Sequence, residues 1–74
     1  MKLQTQQGII THLNVKRRFG FLLSEDGRQI FFHSTGVVSP NFDELRAGVP
    51  VVYFEIKGKD SRPVAIGVAV DGQS

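Results

Sequence analysis

The sequence predicts an all-β chain of five short strands closing, or nearly closing, into a barrel. Three observations lead there. Short runs rich in Ile, Val and Phe recur along the chain, some with clear period-two alternation. Gly, Pro, Asn and Asp punctuate the gaps between them. The third connection is far longer than the others. Closure also removes sheet edges, which matters for strands this apolar.

In chain order, residues 1–7 are polar and read as a frayed start. Residues 8–13 form the first strand, with Ile9 and Ile10 as core candidates and His12 within it. Residues 14–18 are a polar turn, and residues 19–24 the second strand. Glu25, Asp26, Gly27 and Arg28 make a hairpin signal, because Asp-Gly supplies the positive φ of a tight turn. Residues 29–33 are the third strand. Residues 34–48 hold no period and carry Gly36, Pro40 and Gly48; they read as a long loop with one helical turn at 41–46. Phe42 and Leu45, three apart there, are assigned to the core. Residues 49–56 form the fourth strand, with Pro50 near its start. Residues 58–61 turn. The fifth strand covers 62–70, with Val64, Ile66, Val68 and Val70 on one face and Ala65, Gly67 and Ala69 on the other. Residues 71–74 are a polar tail.

Seventy-four residues suit a single domain, with a core over about 7–70 and short polar termini. The absence of cysteine excludes disulfides and Cys-based metal sites and fits a cytoplasmic chain. The polar start has no apolar core of a secretory signal, and no apolar run is long enough to span a membrane. No metal, cofactor or small-molecule substrate is expected, and the chain is expected to be a monomer. Net charge is +2, but unevenly placed. Residues 1–33 carry +3 and residues 34–74 carry −1, so the positive excess travels with the aromatic stretches. That is a modest electrostatic footprint for nucleic acid, and binding that rests on it falls with salt.

Two of those stretches carry the functional argument. Residues 17–21 read Arg-Arg-Phe-Gly-Phe. Phe19 and Phe21 are two apart and share a strand face, with the bare Gly20 between them. Residues 30–35 read Ile-Phe-Phe-His-Ser-Thr. There Phe31 and His33 share one face and Ile30 and Phe32 the other, so Phe32 is assigned to the core and Phe31 to the surface. Antiparallel pairing of the two stretches sets Phe19, Phe21, Phe31 and His33 on one flat, ring-bearing surface, edged by Lys16, Arg17 and Arg18. Such a surface suits single-stranded nucleic acid, since bases stack on rings and phosphates seek positive charge. Packing alone also favours aromatics in strands. A core needs only one apolar face, however, and these strands look apolar or aromatic on both.

The same residues resemble the cold-shock domain family. Its first nucleic-acid motif reads roughly Lys-Gly-Phe-Gly-Phe-Ile, against Arg-Arg-Phe-Gly-Phe-Leu at 17–22. Its second reads roughly Val-Phe-Val-His-Phe-Ser, against Ile-Phe-Phe-His-Ser-Thr at 30–35. The spacing from Gly8 through Asn14 to Phe19 fits without a gap, and looser matches follow at 45–48 and 63–68, so the resemblance covers about 8–70. It implies a five-stranded antiparallel OB-fold barrel that binds single-stranded RNA or DNA, with Phe19, Phe21, Phe31 and His33 as stacking residues. Lys16 is added for its charge alone. The chain also departs from the family. Thr11-His12-Leu13 stands where the family has Lys-Trp-Phe, Ser34 replaces the aromatic after the motif His, and Arg18 replaces the motif's first Gly. Three platform rings and a phosphate-facing Lys are therefore missing, with His12 and Arg18 as partial substitutes. Glu55 falls at a usually apolar position, which suggests a bulge or register shift late in the fourth strand.

The reading is a non-catalytic binder of single-stranded nucleic acid, of modest affinity and RNA-chaperone-like. The alternative is a protein-interaction module on the same barrel, since one fold hosts unrelated functions. No spacing of His12, His33 and the acidic residues resembles a catalytic or metal site, so no enzyme is expected.

Overall fold

The computed structural model describes residues 5–39 and 42–71. Six strands run in chain order: β1 (Gln6–Asn14), β2 (Phe19–Ser24), β3 (Gln29–His33), β4 (Val37–Ser39), β5 (Pro50–Lys57) and β6 (Pro63–Val70). Single 3-10 turns occupy Ser34–Gly36, Phe42–Glu44 and Lys59–Ser61. The sheet order is β3-β2-β1-β5-β6-β4, and a further β3–β6 pairing closes the five longer strands into a barrel.

That closing pair is parallel, Phe31 opposite Val64. A purely antiparallel barrel was expected, and the strand count explains the difference. Alternating directions around a ring of five leaves one pair of neighbours running the same way. Short β4 then continues along the same edge of β6, also parallel, with Val37 opposite Val68. Three residues inside a long loop leave too little pattern to read β4 from sequence. β1 begins at Gln6 rather than at 8, because Gln6 and Gln7 pair with Tyr53 and Val52 of β5. Residues 1–4 and 72–74 of the expected frayed start and polar tail lie outside the described residues. So does Asn41, the first residue of the helical turn expected over 41–46; of the rest, Phe42–Glu44 form a 3-10 turn and Leu45 and Arg46 are not helical.

The barrel interior holds Ile10, Leu22, Ile30, Phe32, Val51, Tyr53, Ala65 and Val68, and Phe42 and Leu45 join the same cluster from the long connection. Ile9 is not core: it is 49% exposed and lies opposite Leu23, also exposed.

Two bulges decide which residues point inward. In β1, Ile10 pairs with Leu22 but His12 pairs with Phe21, so Thr11 is an extra residue. Its hydroxyl donates to the Phe21 carbonyl at 3.3 Å. Strict alternation would have put His12 on the core side with Ile10; the bulge turns it out and brings Leu13 in against the core. In β6 the extra residue lies around Gly67. Val52 pairs with Ala69 and Phe54 with Ile66, and Gly67 has φ 61. The inward residues are therefore Ala65 and Val68, three apart, and the expected division of β6 into two alternating faces fails there.

The shift expected late in the fourth strand, at Glu55, is not there: Phe54 to Lys57 pair regularly with β6, Glu55 opposite Ala65, and the extra residue belongs to β6. The Glu55 carboxylate has a specific partner. Arg28, the last residue of the hairpin turn, donates from Nη1 and Nη2 to the two Glu55 oxygens at 2.8 and 2.6 Å. Its Nε donates to Asp26 at 2.9 Å, and Ser24 Oγ donates to the same carboxylate. A fork of this kind ties the β2–β3 hairpin to β5. The Arg28 hydrogen bonds hold Glu55 below its ordinary 4.5, and those from Ser24 and then Arg28 hold Asp26 below 3.8. A carboxylate whose folded value is depressed adds stability above its unfolded value and loses it as pH falls through the folded one. Stability is thus expected to decline as pH drops below about 4.5, and Glu55→Gln to lower the thermal midpoint at pH 7 while flattening that acid decline. Melting curves from pH 7 to about 3 check both; an unchanged acid limb would remove Glu55 from the account.

Candidate nucleic-acid interface

β2 and β3 pair with Phe19 opposite His33, Gly20 opposite Phe32 and Phe21 opposite Phe31. Because side chains alternate, this register puts Phe19, Phe21, Phe31 and His33 on the outer face and buries Phe32 completely. The β1 bulge adds His12 to the same face, 6.4 Å from Phe21 by ring centroids.

The rings do not form the flat surface expected. Phe19 and Phe21 meet nearly perpendicular at 6.1 Å, Phe21 and Phe31 at 5.8 Å and 70°, and Phe19 and Phe31 at 5.7 Å and 32°. Edge-to-face contacts match the positive rim of one ring to the negative face of the next. Each Phe is consequently half-buried by its neighbours, while His12 and His33 are exposed. Shallow depressions flank the cluster. One runs along His12, Asn14, Phe19 and Phe21, and another lies between Phe31, Gln29, Arg62 and Pro63.

His33 is held in one orientation. Its Nδ1 accepts from the Thr35 backbone N–H at 3.2 Å, with the Thr35 hydroxyl at 3.1 Å. An Nδ1 that accepts carries no proton, so in the neutral ring Nε2 bears the N–H and is a donor.

The basic residues separate into two groups. Lys16 and Arg17 lie exposed in the β1–β2 turn, which Asn14 organises by accepting the Arg17 N–H on its side chain at 3.0 Å and the Arg18 N–H on its carbonyl at 2.8 Å. Neither Lys16 nor Arg17 forms an ion pair among the described residues. Arg18 does not stand free at the rim. Its Nη1 donates to Asp43 at 2.6 Å and its guanidinium lies 5.2 Å from the Phe42 ring centre. Of the residues read as missing rings, Leu13 packs against the core and Ser34 opens the 3-10 turn after β3.

The site residues that the sequence reading did not name are Thr35, Asp43, Gln29, Arg62 and Pro63, although Gln29 shares the face of Phe31 by alternation. Thr35 could have been suspected from its place two after His33. The approach of Arg62 and Pro63 to Phe31 depends on the β3–β6 closure, and the Asp43 contact joins residues 25 apart.

Comparison with known sequences agrees with this geometry. The family model described as "'Cold-shock' DNA-binding domain" matches residues 6–70. Cold shock protein 2 of Lactiplantibacillus plantarum is 33% identical over 63 residues, covering 85% of this chain and 94% of that protein. Cold shock protein 1 of the same organism is 29% identical over 63 residues, with the same coverage. The major cold shock protein of Streptococcus pyogenes is 27% identical over 62 residues, covering 84% of this chain and 91% of its own length. With the barrel and a match over nearly its whole length, the chain belongs to the cold-shock domain family of nucleic-acid-binding proteins.

Proposed function

We propose that the chain binds single-stranded RNA or DNA, without catalysis, on the outer face of β1–β3. Phe19, Phe21, Phe31, His33 and His12 stack against bases, while Lys16 and Arg17 attract the phosphates. The observation that carries the reading is the cluster of three mutually packed phenylalanines left half-exposed between two histidines, beside a turn with two cations unpaired among the described residues. Keeping rings together at a surface costs free energy in water, and a soluble chain bears that cost where something binds. Stacking tolerates any base, so the site discriminates little between sequences. The Nε2–H of His33 adds one donor that can meet an acceptor on a base edge. With so few rings and cations, binding is modest and reversible, as suits a chaperone that holds strands open without locking them.

Titrating a labelled protein with a short oligopyrimidine tests this. Amide shifts are expected to move along β1–β3 and in the 14–18 turn, with an affinity that falls as salt rises. His12→Trp is expected to tighten binding several-fold, since an indole offers a larger stacking face than imidazole at a position already beside Phe21. No shift change at millimolar oligonucleotide and low salt would sink the reading and leave the ring face as a protein-docking surface.

A further inference from the structure

We propose that Asp43 sets the strength of this face by holding the Arg18 guanidinium out of it. The inference rests on the nucleic-acid reading above and adds to it a residue that restrains binding. Arg18 stands at the corner where β2 begins and β3 ends. Its carbonyl accepts from the Ser34 N–H at 2.9 Å, immediately beyond the Phe19–His33 pair. Its backbone is therefore fixed beside the rings. Its φ of 63 breaks the strand alternation, and its side chain is held across the 42–44 turn. There it meets Asp43 at 2.6 Å and covers the Phe42 ring.

The position of Asp43 follows from the core. Phe42 is buried and packs 6.3 Å from Phe32, so the turn that carries Asp43 cannot drift away while the core is intact. The carboxylate neutralises a cation whose backbone adjoins the ring pair Phe19 and His33, and it places a negative charge where an incoming phosphate would meet Arg18. Both side chains remain about half exposed, 47% and 63%. Water and salt therefore weaken the pair, and a phosphodiester can compete for the guanidinium. Arg18 is a phosphate ligand held in reserve, and Asp43 is its competitor.

Anisotropy titrations with a labelled oligothymidylate, across about 50 to 200 mM salt, test this on wild type, Asp43→Asn, Arg18→Gln, the double variant and Phe31→Ala. Asp43→Asn is expected to bind several-fold tighter. Its plot of log affinity against log salt is expected to steepen by about 0.7, the increment for one more phosphate on a single strand. On the Arg18→Gln background the same change is expected to give no steepening, only the small gain from deleting a negative charge. Thermal melts confirm folding, and Asp43→Ser replaces Asp43→Asn if the latter melts early. If Phe31→Ala weakens wild-type binding but Asp43→Asn leaves the slope unchanged, or steepens it equally without Arg18, the ring face stands and the role of Asp43 is overturned. If neither wild type nor Asp43→Asn binds at the lowest salt, the reading of the face fails and the restraint fails with it.

Discussion

Phe31→Ala and Phe32→Ala, adjacent in sequence, are expected to fail in different ways. Phe32 is completely buried and packs against Phe42. Truncating a buried Phe removes its transfer free energy and leaves a cavity, at a cost of about 3–5 kcal/mol. A domain this small has little stability to spare, of the order of 5 kcal/mol. Phe32→Ala should therefore keep no more than about 2 kcal/mol of stability, with a lowered melting temperature and a urea transition moved close to zero denaturant. Phe31 is half-buried, with the outer rings Phe19 and Phe21 on one side and Arg62 and Pro63 nearby. Removing it forfeits two ring contacts, about 1–3 kcal/mol of folding stability. If bases stack there, oligonucleotide binding drops by about 1–3 kcal/mol. A Phe32→Ala of wild-type stability with weakened binding, or an unfolded Phe31→Ala, would reverse the facing of β3.

Gly20→Ala is expected to damage fold and face together. A Cβ at residue 20 would stand 2.5 Å from the His12 carbonyl oxygen, 2.9 Å from Cζ of Phe32 and 3.0 Å from Cδ2 of Leu13. The first neighbour is backbone and cannot rotate aside. Relief requires prising β1 from β2 at the Leu13–Gly20 pair, next to the bulge that positions His12. Overpacking of this kind costs about 1–3 kcal/mol, and a clash with main chain belongs at the upper end. A lowered urea midpoint is expected, with amide shifts from Thr11 to Phe21 and weakened oligonucleotide binding even under conditions where the variant is folded. A variant with wild-type stability would mean that the β1–β2 separation is wider than described.

What was legible in the sequence is what depends on neighbours along the chain. Alternation in residues 30–33 was enough to separate Phe32 from Phe31. The Asp-Gly pair was enough to place the β2–β3 hairpin, where Gly27 has φ 89 and the Ser24 N–H donates to the Arg28 carbonyl at 2.8 Å. The spacing of Phe42 and Leu45 was enough to assign both to the core. Which rings share a face followed from period two and one assumed pairing.

Period two also marks where the reading stopped. A bulge inserts one residue and reverses the facing of all that follow, and nothing local announces it. The face of His12 was decided by the extra residue Thr11, and the inward pair Ala65 and Val68 by the left-handed Gly67. The tilt of the rings was decided by mutual packing, since each settles against its neighbour's edge. The partner of Arg18 was decided by the core, which anchors Phe42 and so carries Asp43 within reach. The sequence by itself determined the five longer strands, the turns between them and the ring-bearing side of β2 and β3. Only the tertiary structure decided the bulges, the parallel closure and the pairing of charges, because these arise from contacts between segments that alternation along one segment cannot encode.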